Sequence, residues 1–178
     1  MSVGHALNAL LGVGKRFIFR VRMCTSVRSV MNKNQTVKIF DAQTLLTRLA
    51  EDKDGSNRGV KLTNKNRYGF TKKLEMFFEK GCKCVSCRKE GKFLVLEKQP
   101  TQAKPHLNLY AEDGTLMTID LIVPKKHGGK DVKDNLQPMC FKCNVRKGSL
   151  IGNLSGINWS EISDDEMKVF RKRYGSIK

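Results

Sequence analysis

Apolar and polar positions follow two rhythms along this chain, with helical spacing at its flanks and strand-like runs at its centre. From Asp41 to Ala50, Leu45, Leu46 and Leu49 recur at helical spacing, which predicts a short helix. Glu51 to Arg67 is polar and rich in Gly and Asn, and reads as a linker or long loop. Thr71 to Lys80 predicts a second helix, with Leu74, Phe77 and Phe78 on one face and Gly81 as its stop. Lys92 to Lys98 carries Phe93, Leu94, Val95 and Leu96 in succession, the mark of a buried strand. His106 to Ala111 and Leu116 to Val123 bracket Glu112-Asp113-Gly114, a hairpin signal. A short helix is expected around Asn144 to Lys147. Ser163-Asp164-Asp165-Glu166 is a capping box that opens a last helix running through about Arg173. The order of elements predicts an α+β fold without internal repeats.

Charge adds a statement about partners. Lys and Arg total 34 against 17 Asp and Glu, a formal net charge of +17. Such an excess suits a polyanion, of which nucleic acid is the commonest. Residues 1–40 hold seven Lys or Arg and no acid before Asp41. This stretch reads as a disordered basic arm, as an upstream extension ahead of Met31, or, less well, as an organelle transit peptide. No apolar run approaches the roughly 18 residues of a bilayer span. With no secretory signal and cleavage site in evidence, the chain reads as intracellular.

The cysteines narrow the chemistry. Of six, Cys84/Cys87 and Cys140/Cys143 form two Cys-x-x-Cys pairs, while Cys24 and Cys82 stand outside that spacing. Each pair lets two thiolates from one tight turn reach a single ion, and two pairs close a tetrahedral shell. A closed four-thiolate shell has no open position for substrate, so the expected metal is a structural zinc. Cys82 lies near enough to compete, but Cys84 and Cys87 have the better spacing.

The most informative stretch runs Thr118-Ile119-Asp120-Leu121-Ile122-Val123-Pro124-Lys125-Lys126-His127-Gly128-Gly129. It continues as Asn135-Leu136-Gln137-Pro138-Met139-Cys140-Phe141-Lys142-Cys143-Asn144 and Val145-Arg146-Lys147-Gly148. These spaced residues resemble the HNH endonuclease family, in its zinc-bearing branch, over about residues 80–150. His106 to Met117 together with Asp120 look most like phage-encoded members, homing endonucleases included. The resemblance implies a ββα-metal core stabilised by a four-cysteine structural zinc, with flanking helices. It divides the chain into the basic arm 1–40, a helical segment 41–80, the nuclease-like domain 81–150 and a C-terminal basic helix 151–178.

The resemblance also implies roles. Asp120 and Asn144 would hold a catalytic cation, magnesium or manganese, that acts in hydrolysis of a DNA phosphodiester. Asn135 would brace the loop between them through backbone hydrogen bonds, and Gly128 and Gly129 would allow its turn. The plainer alternatives are Asp120 as a surface strand end and Asn144 as a helix cap, and the neighbouring motif residues favour the cation ligands over both. The general-base histidine that the family carries directly after the aspartate is Leu121 here, and leucine cannot accept a proton. Loss of a general base typically costs about 10²–10⁴ in rate. His127 is the nearest weak substitute; His106, on the opposing strand, is expected to be structural. Three readings result: a metal-dependent DNA endonuclease weakened or silenced at Leu121, a silent zinc-stabilised nucleic-acid-binding module, or a basic zinc protein that contacts other proteins, such as a host partner. In the first two, Lys125, Lys126, Lys130, Arg146, Lys147, Lys168, Arg171, Lys172 and Arg173 are the expected phosphate contacts, most naturally to double-stranded DNA.

Overall fold

A computed structural model describes residues 35–54, 59–64, 66–98, 100, 102–150 and 157–174. Cys24 and most of the expected basic arm lie outside these residues. The arm does not extend to residue 40, because strand β1 (Gln35–Asp41) already pairs antiparallel with β4 (Gly91–Lys98). Helix α1 (Ala42–Asp54) follows at once, with the Asp41 carboxylate accepting from the Thr44 amide at 2.8 Å to cap it. The helix runs four residues into the expected linker. The rest of that linker is not a plain loop either: β2 (Val60–Lys61) and β3 (Arg67–Tyr68) pair as a small ribbon. Helix α2 (Lys72–Lys80) starts at Thr71, whose side chain accepts from the Leu74 amide, and stops at Gly81.

β4 continues through β5 (His106–Ala111) and β6 (Leu116–Leu121) to β7 (Leu136–Cys140). The five strands form one antiparallel sheet in the order β1-β4-β5-β6-β7. The Glu112–Gly114 turn forms as its sequence predicts, with the Gly114 amide bonded to the Ala111 carbonyl and φ of 81° at Gly114. The hairpin that it closes is short, however, pairing only Leu109 with Met117 and Tyr110 with Leu116. The long partner of β6 is β7, in register from Met117–Cys140 to Leu121–Leu136. The two strands that carry the site are therefore β6 and β7, followed directly by α3 (Phe141–Lys147).

One core joins all of these parts. Leu45, Leu46 and Leu49 of α1 meet Leu74 and Phe77 of α2 over Leu94, Leu96, Leu109, Met117 and Met139 of the sheet. Each such side chain contributes about 1.5–3 kcal/mol by burial. The C-terminal helix α4 (Asp164–Tyr174) joins the same cluster through Met167. Its Ser163–Glu166 capping box forms as expected, and Trp159 packs edge-on against Phe170 at 5.7 Å. The helical segment 41–80 and the C-terminal helix thus share the core of the 81–150 segment. No helix among the described residues is long and apolar enough to cross a membrane.

Candidate active site and metal centre

The first cysteine pair sits in a tight turn that its backbone builds. The Cys84 amide bonds to the Lys89 carbonyl and the Arg88 amide to the Cys84 carbonyl, with Arg88 in the left-handed region at φ 62°. The Val85 amide reaches the Pro138 carbonyl at 3.0 Å, which clips this turn to β7 and so to the second pair. Cys140 then caps α3, its sulfur accepting from the Cys143 amide. The Sγ atoms of Cys84, Cys87, Cys140 and Cys143 all lie within 4.8 Å of one another. Cys87 and Cys140 are 3.7 Å apart, against sulfur–sulfur edges of about 3.8 Å in a tetrahedron with metal–sulfur bonds of about 2.3 Å. Hydrogen bonds from the Cys140 and Cys143 thiols hold Cys84 well below the ordinary thiol range, while contacts with Cys143 and Cys84 hold Cys140 above it. Cys143, drawn down by Cys140, is raised on balance by the Cys84 contact and burial. Four sulfurs gathered at this spacing fit a metal ion, which would displace their protons on binding. Cys82 is not part of the cluster: its sulfur faces the Phe77 carbonyl, and burial pushes its thiol up to about 11.

On the far side of β7 the strand end, the loop and the helix converge. Asn135 braces the loop through its own side chain. Its Oδ1 accepts from the Val123 amide at 2.8 Å, and its Nδ2 donates to the carbonyls of Val123 and Lys130, each at 2.9 Å. Gly129 has no room for a side chain, since a Cβ there would lie 1.7 Å from the Val123 carbonyl oxygen. Asn144, in the first turn of α3, donates to Thr118 Oγ1 at 2.9 Å and to the Ile119 carbonyl at 3.2 Å. That docks the helix on β6 one residue before Asp120.

Asp120 is buried, and its neighbours were not foreseen in the sequence. Gln137 Nε2 donates to Oδ2 at 2.7 Å. Lys147 Nζ lies 3.0 Å from Oδ2 and 3.2 Å from Oδ1. Lys147 was expected among the surface cations that meet phosphate; it is instead 1% exposed, its ammonium turned inward to Asp120 and to the Leu121 carbonyl. Of the roughly four acceptor sites on a carboxylate, three are taken, which leaves one for a hard cation. Gln137 turns its amide nitrogen to Asp120, and its Oε1 is a buried acceptor without a partner.

Leu121 packs half-buried against the core, its side chain bringing no polar atom to the site. His127, on the short helical turn Lys125–His127, is half-buried with Nε2 3.2 Å from the Ser149 carbonyl. His106 is exposed on β5, across from Glu97 of β4. Among the expected phosphate contacts, Lys125, Lys126 and Lys130 are exposed on the loop, and Arg171 and Lys172 on α4. Lys168 is exposed and pairs with Asp165 at 2.8 Å. Arg146 is turned to the start of α4, bonded to the Ile162 carbonyl and 3.2 Å from Asp164. The side chain of Arg173 lies outside the described residues.

The HNH endonuclease family model matches residues 106–150. No curated protein and no solved structure matches the chain. The matched segment begins with β5 and closes just past α3, and so contains Asp120, the braced loop, the second cysteine pair and Asn144. From strand β5 to the turn after α3, this chain is therefore similar to the HNH endonuclease family, whose members act on nucleic acid as nucleases.

Proposed function

We propose that the chain is a metal-dependent HNH nuclease of double-stranded DNA whose hydrolytic step is held down by Leu121. The observation that carries this reading is the docking of Asn144 onto the Ile119 carbonyl, which brings α3 against the strand end that bears Asp120. Asp120 and Asn144 would hold a magnesium or manganese ion, and such an ion stabilises the charge that develops on the leaving oxygen of a phosphodiester. Asn135 keeps the loop between them in place, and Lys125, Lys126 and Lys130 line that loop with positive charge. A zinc ion at Cys84, Cys87, Cys140 and Cys143 would be structural, because four thiolates close its shell. What the site lacks is a proton acceptor where the attacking water would need one. The likeness to phage-encoded and homing members rests on His106 to Asp120 alone.

A second reading, a silent DNA-binding module, is favoured by one observation: Leu121 removes the base while the basic surface remains. Both readings require DNA binding. Fluorescence anisotropy of a labelled DNA duplex should show an affinity that falls steeply, by about 10³-fold for some six phosphate contacts, between about 50 and 200 mM salt. An RNA duplex of the same sequence should bind more weakly. Salt-insensitive binding, or equal affinity for RNA, contradicts the proposal.

A further inference from the structure

Beside the loop that carries Lys130 lies a second basic feature. The first turn of α2 separates the two. Lys72 on one side pairs with Asp131 of the loop at 2.8 Å, and the next residue, Lys73, lines an open cleft on the other. The cleft, about 510 Å³, lies between the β3 ribbon, the start of α2 and the first half of β5. Arg67, Lys73, Lys104 and His106 line it, and no carboxylate does among the described residues.

Three features make this more than a solvated basic face. Lys73 is half-buried and fixed, its Nζ bonded to Asn108 Oδ1 at 2.7 Å. Asn108 in turn donates to the buried Glu97 at 2.6 Å, and Tyr110 donates to the same oxygen at 2.7 Å. A chain of hydrogen bonds running into the buried Glu97 thus holds the ammonium at the cleft wall, and burial lowers its pKa against the opposing pull of Glu97. Second, Lys73 lies in the first turn of a helix, with Glu75 in the same turn, where the macrodipole is positive and favours an anion. Thr71, which caps that helix, also lines the cleft. Third, the edge of β5 from His106 to Asn108 has no partner in β6, because their pairing begins only at Leu109.

We infer that this cleft binds a backbone phosphate of the nucleic acid held by the catalytic loop, extending the contact across the first turn of α2. The inference rests on the DNA-binding reading above and adds a site to it. Inorganic phosphate shares the chemistry, so the test separates the two sources.

The test compares the parent with Arg67→Gln/Lys104→Gln, both exposed positions, in duplex binding across a salt series. Lys83→Gln/Lys92→Gln, which removes the same charge from exposed positions on either side of the Cys84–Lys89 turn, is the control. Two lost phosphate contacts should reduce the slope of log affinity against log salt by about 1.8 and weaken binding at fixed salt about tenfold or more. The control should leave the slope unchanged. Lys73→Met should weaken binding in the same direction and also lower the melting temperature, because Asn108 loses its partner, so the exposed pair decides the question. A parent that does not bind duplex sinks the DNA-binding reading and this site with it. A parent that binds, with the cleft pair equal to the control, overturns the cleft alone. Amide NMR shifts at Thr71 and Lys73 on addition of inorganic phosphate, without any effect of the cleft pair on duplex binding, would assign the cleft to the free ion and equally overturn the inference.

Discussion

Lys147 sets its ammonium 3.0 Å from Asp120 Oδ2 while remaining only 1% exposed, so the carboxylate proposed to hold a cation already has a buried countercharge. The same ammonium donates to the Leu121 carbonyl at 2.9 Å and fixes the end of β6. Removing one member of a buried pair leaves the other uncompensated in a low dielectric. Lys147→Met should therefore cost about 3–5 kcal/mol, measured by urea denaturation. Adding Asp120→Asn to it should recover part of that loss. A loss below about 1 kcal/mol would show that water reaches the carboxylate and that the pair is not truly desolvated.

The thiolate cluster should carry one zinc per chain, read by elemental analysis of the purified protein. Cys140→Ser removes a sulfur that also caps α3, and should lower both zinc content and melting temperature. Zinc binding requires thiolates, so apparent affinity should fall as the pH is lowered from about 8 to about 6. Full stability after exhaustive chelation would exclude a structural role for the metal.

The β5–β6 turn gives a pH signature. Burial pushes the Asp113 carboxyl up, but the Lys89 ammonium and the Thr115 hydroxyl and amide outweigh it and hold the group down at about 2, against an ordinary 3.8. A carboxyl whose pKa is lower folded than unfolded stabilises the fold above its unfolded pKa, and that contribution is lost as pH falls from about 4 through about 2. Asp113→Asn should therefore melt lower than the parent at pH 6, and the gap should narrow towards pH 2. A gap that stays constant would mean that the Lys89 pair contributes nothing in solution.

The features most legible in the sequence were those written in local chemistry. Asp113-Gly114 specified a turn, Ser163 and Glu166 a cap, and the spacing of Cys84, Cys87, Cys140 and Cys143 a cluster, because each depends on residues close in sequence or on a fixed donor type. Strand β7 was illegible for the opposite reason. Its run Leu-Gln-Pro-Met-Cys has no alternating pattern, being buried on both faces, and it tolerates Pro138 only because it lies at the edge of the sheet. Strand β1 was hidden by the acid-free composition around it, which reads as a basic arm. Lys147 was misplaced because composition treats every lysine as a surface charge, and nothing local announces that Asp120, 27 residues away, will face it in a buried pair. Gln137 was missed likewise, its partner lying on the neighbouring strand.

The proposed function is a nuclease site that lacks its proton acceptor at Leu121. Cleavage of supercoiled plasmid by the parent and by Leu121→His, in magnesium or manganese and with a chelator control, tests it most directly. On this proposal the parent should cut little or not at all, and the histidine variant at a rate higher by about 10²–10⁴, abolished by the chelator. A parent that cuts as fast as the variant would contradict it, placing the base elsewhere and making His127 the next residue to replace; a variant that binds duplex but never cuts would leave the silent binding module as the function.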